Sequence, residues 1–339
     1  MKIFTVSFKL GGEFMIKFII RRLLMMIPIM LGVVLLVFSM LYFSPGEPAR
    51  YILGDMATEE DVELFNEENG LNDPFLVRYV NYVLDALHGD LGTSYTTKQP
   101  VLGEILERFP TTFKLTLLST FVSVVIGITL GIISAVKQYS VWDNIVRVVA
   151  MIGVSMPNFW LGLLLILFFS VNLGVLPASG IATWQSWILP SVAIGCSSAA
   201  GIMRMTRSSM LEAIRQDYIR TARAKGQKEM VIICVHALRN AIIPVMTLVG
   251  INFSRMLGGS SISEIVFAIP GLGNLIISAI NVKNAPLVQG GILFIAVVMA
   301  FCNLVIDVLY AYVDPRIRSQ YVKAKSKKAV NAAVKKEGV

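Results

Sequence analysis

The chain alternates long apolar runs with polar loops. Six of these runs are long enough to cross a bilayer, which takes about 20 residues in a helix. Their apolar residues are continuous and do not alternate one by one, which predicts helices that are buried or face lipid. We therefore expect an all-α polytopic membrane protein with six transmembrane helices. The predicted spans are residues 18–43, 115–136, 146–171, 187–203, 241–257 and 287–313.

The charges between the runs indicate a topology. Basic residues flank the first span, fill every second loop and recur in the tail, whereas the loop after the first span is acidic. The positive-inside rule then predicts that both termini and the loop 204–240 are cytoplasmic and that the segment 44–111 is extracellular. The basic residues of the cytoplasmic loop are Arg204, Arg207, Arg215, Arg220, Arg223, Lys225, Lys228 and Arg239.

The acidic segment 44–111 follows the first transmembrane segment, 15–43, and is too long for a simple turn. Thr58 is placed to cap a short acidic helix that stops at Gly70. Apolar residues at helical spacing then continue as far as Gly89. We interpret the segment as a small extracellular helical insert, which is either a docking surface for an extracellular partner or a connector.

Composition narrows the possible functions. Of the 339 residues, 55% are hydrophobic and only 15% are charged, whereas a soluble domain carries about a quarter charged residues. The three cysteines and two histidines lie far apart, without metal-ligand spacing or a disulfide framework. The glycine motifs that hold nucleotide phosphates are missing from the sequence. We expect no catalytic residues, no cofactor, no bound metal and no nucleic-acid partner.

The two ends of the chain differ from the rest. Residues 1–14 precede Met15, which begins the usual positive flank of a first span, and codons for residues 10–13 could form a ribosome-binding sequence. We interpret residues 1–14 as a possible non-native extension. The tail 314–339 is basic and simple in composition, and it is expected either to lie beside anionic lipid or to be solvated without a specific role. The remaining residues, 112–313, form a five-helix core.

The loop 204–240 is a polar, basic segment between two apolar spans. A stripe of apolar or small residues at helical spacing predicts one helix, made of Leu211, Ile214, Tyr218 and Ala222. Gly226 predicts the end of that helix, and a second helix then leads into the fifth span. Such a bent pair of helices fits either a cleft on a partner protein or the lipid surface, and the residues alone do not choose between the two.

The sequence of this loop resembles the peptide-permease branch of bacterial ABC importers, the dipeptide/oligopeptide/nickel family. The general importer signature is EAA, three residues, Gly, nine residues and I-x-L-P, of which only Ala222, Gly226 and Leu238 match. YIRTARAKG followed by HALRNAIIPV resembles what the peptide branch has in its place. The resemblance continues through SPGEPA, GDLGTSY, ERFPTTFKLTL, SMPNFWLGLLLILFF, LGVLPASG, EIVFAIPGLG and DVLYAYVDPRIR.

This resemblance implies a type I ABC-importer permease fold in a bacterial cytoplasmic membrane, with 112–313 as its core. It also implies four kinds of partner: a second homologous permease, two cytoplasmic ATPases that hydrolyse the ATP, an extracellular solute-binding lipoprotein and the surrounding lipid. The loop would be the coupling element that an ATPase grips. Its candidate residues are Arg220, Thr221, Ala222, Lys225, Gly226, His236 and Leu238.

Several residues in or near the spans are candidates for a pore or gate. They are Pro157, Asn158, Arg255, Glu264 and Asp307. Pro157 can bend the third span, and a break of this kind either lines a cavity or is a packing kink. The charged residues are costly in lipid, so we expect each to face the pore, an interface or a polar partner. Gly127 and Gly131 form a GxxxG pair, which indicates helix packing.

The expected function is the pore-forming permease subunit of an ATP-driven importer of di- or oligopeptides, which itself catalyses no reaction. Within the same family, nickel or another small solute is an alternative. A stand-alone secondary transporter is an alternative from another class, although the sequence shows no obvious internal repeat.

Overall fold

The computed structural model describes residues 2–54 and 56–313, with side chains from residue 19 to residue 309. In this part of the chain, five helices are long and apolar enough to cross a membrane: Ile19–Tyr42, Val101–Val136, Trp184–Ile214, Glu229–Gly259 and Ala285–Leu309. A pair of apolar helices, Val141–Ser155 and Asn158–Asn172, meets at 105° and gives a sixth span if the pair is counted as one. The fold is therefore that of an all-α polytopic membrane protein. The tail 314–339 lies outside the described residues.

Fourteen α-helices follow one another in the described part of the chain. They are α1 (Lys2–Tyr42), α2 (Pro48–Leu53), α3 (Glu59–Glu68), α4 (Phe75–Leu87), α5 (Val101–Val136), α6 (Val141–Ser155), α7 (Asn158–Leu165), α8 (Ile188–Ile214), α9 (Asp217–Ala224), α10 (Glu229–Val231), α11 (Leu238–Gly259), α12 (Ser261–Val266), α13 (Leu272–Asn281) and α14 (Ala285–Val313). Two π-helical segments, Ile166–Asn172 after α7 and Ile232–Ala237 before α11, extend these helices, and a 3₁₀ turn, Trp184–Trp187, precedes α8.

The centre of the bundle is the close contact between α5 and α8. A Cβ on Gly127 would come within 2.8 Å of the Ala199 carbonyl oxygen, and a Cβ on Gly131 within 2.8 Å of the Met203 carbonyl oxygen. Only glycine lets two helix backbones approach this closely. The prediction that the Gly127–Gly131 pair serves helix packing is confirmed.

The second span begins earlier than the apolar run predicts. Helix α5 starts at Val101, directly after Pro100, and not at residue 115. Charged residues in its first turns lower the hydropathy there, so the sequence does not predict this part of the helix. Val101 and Ile105 are nevertheless fully buried against Leu287 and Val288 near the start of α14. Residues 101–111, which the sequence analysis assigns to the insert, therefore form the first turns of α5.

The insert contains three helices, α2, α3 and α4. Thr58 caps α3 as predicted, because its side chain accepts a hydrogen bond from the backbone N–H of Asp61 while the Asp61 carboxylate accepts one from the backbone N–H of Thr58. Hydrogen bonds from the Thr58 side chain and backbone hold the pKa of Asp61 below its usual range. Val62 and Phe65 of α3 pack with Ala49 and Tyr95 in a small separate core.

Helix α4 lies along α1 and does not stand free in solvent. The Tyr79 hydroxyl donates a hydrogen bond to the Leu31 carbonyl oxygen of α1 at 3.2 Å. Phe75 packs edge-on against Phe38 and Tyr42 of the same helix. The other side of α4 leaves large apolar side chains exposed, among them Leu76, Val80, Leu84 and Leu87.

The insert is fixed to the turn between α13 and α14. Asn284 is fully buried there: its amide nitrogen donates to the Ser94 hydroxyl at 2.8 Å, and its amide oxygen accepts from the Tyr95 backbone N–H at 3.2 Å. The Lys283 ammonium donates to the Pro45 carbonyl oxygen at 2.8 Å. We call this side of the bundle the insert end, and the opposite side, which carries α9, the basic end.

Candidate functional site

The site consists of α9 and the turn that joins it to the π-helical segment before α11, residues 217–237. The predicted single helix through Leu211 and Ala222 is wrong, since α8 ends at Ile214 and α9 begins at Asp217. The backbone of Gln216 between them is extended. This break rotates the second helix, so that Ile219 and Ala222 are buried while Tyr218 is exposed.

The buried face of α9 attaches it to the bundle. Ile219 and Ala222 pack against Ile232 and Ala237 of the π-helical segment. These side chains are almost completely excluded from solvent, and burying an Ile side chain stabilises a contact by about 1.5–3 kcal/mol. The short helix is therefore fixed on its apolar side and presents only its polar side.

Gly226 forms the turn after α9. Its φ of +75° lies in the left-handed region, which costs a residue with a side chain about 1–2 kcal/mol. Its backbone N–H donates to the Arg223 carbonyl oxygen at 2.9 Å. The prediction that Gly226 stops the helix is confirmed, with Lys225 as the C-cap residue between α9 and Gly226.

Two polar contacts close the turn. The Arg223 guanidinium donates two hydrogen bonds to the Glu229 carboxylate, at 2.6 and 3.2 Å, and these bonds raise the pKa of Arg223. The His236 Nε2 lies 2.6 Å from the Gln227 side-chain oxygen. The first contact joins α9 to the helix that follows Gly226, and the second joins the turn itself to that helix, so side chains as well as the backbone close the turn.

The structure separates the predicted coupling residues into two groups. Arg220, Thr221 and Lys225 are exposed at the basic end. His236 and Leu238 are partly buried and Ala222 is buried, so these three residues lie on the side of the turn that faces the bundle. A further support that the sequence did not indicate is a hydrogen bond of 3.0 Å from the Asn240 amide to the Tyr218 hydroxyl.

A buried ion pair lies beneath this site and joins α5, α6 and α8. The Asp143 carboxylate is fully buried and accepts hydrogen bonds from Arg207 Nε at 3.0 Å and Arg207 Nη2 at 2.9 Å. The Ser134 hydroxyl and the Tyr139 backbone N–H donate to the same carboxylate. Sequence reasoning missed this contact. The one available indication was the helix-capping spacing of Ser140 and Asp143.

The candidate pore and gate residues are not brought together. Pro157 lies at the 105° bend between α6 and α7, so its predicted kink is confirmed, and Asn158 is the first residue of α7. Asp307 has a polar partner, because its carboxylate is 3.0 Å from the Arg22 guanidinium. Arg255 is exposed on α11.

Glu264 lies at the insert end but is completely buried. Its carboxylate accepts hydrogen bonds from the Thr112 hydroxyl at 2.7 Å, the Ser260 hydroxyl at 3.2 Å and the Asn274 backbone N–H at 2.9 Å. Burial raises the pKa of Glu264, and these hydrogen bonds oppose the increase. The residue connects α5, α12 and α13 inside the protein, where these groups are its polar partners.

The spans, the kink in the third of them and the rigid basic loop are those of a polytopic membrane transport subunit. The family model described as "Binding-protein-dependent transport system inner membrane component" matches residues 127–319, and the model of the corresponding N-terminal region matches residues 15–116. The chain belongs to this family. It is the permease subunit of an ABC importer, and the ATPase activity of such importers resides in separate subunits.

Two curated relatives align over 90% of the chain. It is 41% identical to the "Dipeptide transport system permease protein DppB" of Alkalihalophilus pseudofirmus, over 100% of that protein. It is 42% identical to the "Glutathione transport system permease protein GsiC" of Escherichia coli, over 99% of that protein. These relatives and the family place the chain among multi-pass proteins of the bacterial inner membrane that work with an ATPase and a binding protein.

The fold is also similar to that of a solved transporter. A chain of the inward-facing MetNI methionine ABC transporter superimposes with a TM-score of 0.51 and 23% sequence identity, over 63% of this chain and 97% of that chain. At this identity the similarity concerns the fold alone. It confirms the ABC-importer permease fold expected from the sequence.

Proposed function

We propose that this chain is a pore-forming permease of an importer for di- or oligopeptides, and that it pairs with a second homologous permease. The solute class is supported by the names of the two relatives, which refer to a dipeptide and to glutathione. At the basic end, an ion pair between Arg22 and Asp307 joins α1 to α14. The charge pattern of the loops supports a cytoplasmic position for this end and for both termini.

The observation that carries the proposal is the rigid, basic and exposed surface of α9 at that end. Arg220, Thr221 and Lys225 form a face that an ATPase can grip, and Ile219 and Ala222 fix the opposite face to the bundle. A force on α9 is therefore transmitted to the π-helical segment and to α11 instead of bending a loose loop. Reversing the equilibrium between two pore conformations from 1:99 to 99:1 requires about 5.5 kcal/mol of differential binding. A flexible contact would let α9 move without the spans and would not couple this binding free energy to the pore.

The insert end has a different role in this proposal. We propose that the binding protein docks on the insert, which carries the acidic helix α3 and is joined to the bundle by Asn284. The buried Glu264 network holds α12 and α13 at the same end. A binding protein that docked on the insert would thus contact a part of the structure that is attached to the spans.

Charge reversal in α9 tests the coupling role. We expect Arg220→Glu to abolish solute uptake while the subunits still assemble and ATP hydrolysis persists without responding to solute. Lys137→Glu is the matched control, since Lys137 is also an exposed base at the basic end but lies outside α9. Unchanged uptake by the Arg220 variant, or equal loss in both variants, would refute the coupling assignment.

Uptake assays test the solute. In a strain that lacks the chromosomal gene, the chain and its partner subunits should restore uptake of labelled dipeptides or oligopeptides. Restored uptake of nickel without peptide uptake would assign another solute to the same permease. Peptide uptake that continues after the ATPase subunits are removed would instead support a secondary transporter and contradict the proposal.

A further inference from the structure

A groove lined by four arginines opens between α6 and α8 at the basic end, with a volume of about 710 Å³. Arg147 comes from α6, Arg204 and Arg207 come from α8, and Arg215 is the C-cap residue after α8. The remaining walls are mainly apolar and include Ala150, Met151, Met203 and Leu211.

Two of these arginines already have an acidic partner. Arg207 binds the buried Asp143 carboxylate through two hydrogen bonds, and Arg147 lies 3.6 Å from the same carboxylate. Among the described residues, neither Arg204 nor Arg215 forms an ion pair, and the single acid that lines the groove is Glu212. The groove therefore has an excess of positive charge.

The depth of the groove in the bundle matches the level of lipid headgroups. Arg204 follows Trp184 by 20 residues, which is about 30 Å along the 3₁₀ turn and α8 and equals the thickness of a bilayer's hydrocarbon core. Trp184 is exposed, as an aromatic residue at one membrane interface usually is. Arg204 and Arg215 then lie at, and just beyond, the opposite interface.

The groove also continues into an apolar surface. Val148, Met151 and Ile152 of α6 are all exposed next to its arginine-lined part. An occupant that satisfies both regions needs an anionic group at the headgroup level and an apolar portion that extends towards the membrane core. A soluble anion satisfies only the first requirement.

We propose that this groove binds an anionic phospholipid, whose phosphate is held by Arg204 and Arg215 and whose acyl chains lie along α6. The planar donors of guanidinium groups match phosphate oxygens in geometry. Basic pockets between membrane helices bind such headgroups in the same way. The proposal depends only on the membrane location of the bundle, so it is independent of the solute and of the coupling role of α9.

Lipid retention tests the site. The full-length chain, purified with the subunits that accompany it, is titrated with phosphatidylglycerol and phosphatidylcholine, and bound lipid is counted by native mass spectrometry. The double variant Arg204→Gln/Arg215→Gln removes the proposed ligands, and Arg239→Gln removes an exposed charge from the same end outside the groove. Glycerol 3-phosphate serves as a headgroup without acyl chains.

We expect phosphatidylglycerol to bind more tightly than phosphatidylcholine, and the double variant to weaken its binding about thirtyfold, as the loss of two interfacial cations implies. The Arg239→Gln variant should bind it like the wild type. Unchanged phosphatidylglycerol binding by the double variant would overturn the proposal. The proposal would also be overturned if glycerol 3-phosphate competed as well as the lipid, since the groove would then be a soluble-anion site. The same holds if the double variant lost an accompanying subunit and not lipid, since the groove would then be a protein interface.

Discussion

Replacing Asp143 with asparagine tests whether the buried ion pair holds α5, α6 and α8 together. The carboxylate is fully buried and receives four hydrogen bonds, two of them from Arg207. An asparagine keeps one acceptor oxygen but turns an NH₂ group towards the donors on the other side. The guanidinium of Arg207 then lacks an anionic partner in a largely buried position.

The size of the effect follows from this burial. Breaking a buried ion pair from one side costs about 3–5 kcal/mol. The Arg207 side chain keeps 21% of its exposure, so water screens part of the loss and we expect the lower end, about 3 kcal/mol. At about 1.4 °C per kcal/mol for a chain of 339 residues, the melting temperature should fall by about 4 °C.

A double-mutant cycle with Arg207→Met separates the pair from general disruption. The double variant should lose less stability than the sum of the two single variants, by at least about 1 kcal/mol. Thermal unfolding in detergent can be followed with a thiol-reactive dye in a Cys234→Ser background, because Cys234 is exposed whereas Cys196 and Cys302 are partly buried. Asp85→Asn changes an exposed acid on α4 and should leave the melting temperature within experimental error.

Additive losses in this cycle, or a wild-type melting temperature for Asp143→Asn, would refute the reasoning.

Three further predictions concern other parts of the fold. Gly131→Ala should destabilise the bundle by about 1–3 kcal/mol, because its Cβ would lie 2.5 Å from Thr206 Cβ; Gly201→Ala, which meets no atom within 4 Å, should be neutral in the same melting assay. Since burial raises the pKa of Glu264, its contribution to stability is largest below the ordinary carboxyl pKa and declines as the pH rises through the raised value; melting curves of wild type and Glu264→Gln between pH 4 and 7 should therefore differ in slope, and parallel curves would contradict this. Asn284→Ala should release the insert and speed limited proteolysis between α1 and α5, whereas an unchanged cleavage rate would show that the insert is held elsewhere.

The sequence predicts the membrane class and most spans because hydrophobic length is a local property. The sequence also predicts the cap at Thr58 and the turn at Gly226, since a cap and a left-handed turn depend on a few neighbouring residues. Hydrophobic length does not predict the start of α5, because the first turns of this helix mix charged residues with apolar ones. Their burial against α14 depends on a contact between residues that are far apart in the chain.

The candidate site was predictable only in outline. A stripe of residues at helical spacing indicated helix in the loop, but it could not reveal the break at Gln216, which turns Ile219 inward and Tyr218 outward. The burial and the partners of Glu264 could not be predicted, because a lone acid between two spans has no visible partner in the sequence. Its partners Thr112 and Asn274 are supplied by other helices.

The attachment of the insert at Asn284 also has a consequence for the order of synthesis. Ser94 and Tyr95 contact a residue that follows them by 190 and 189 positions in the chain. At about 5–20 residues per second, the insert leaves the ribosome about 10–40 s before its anchor is made. During that interval the insert can form its own small core and its contacts with α1, but it cannot yet be held in its final position by Asn284. The insert therefore reaches its final position only after the turn before the last span, α14, has been synthesised.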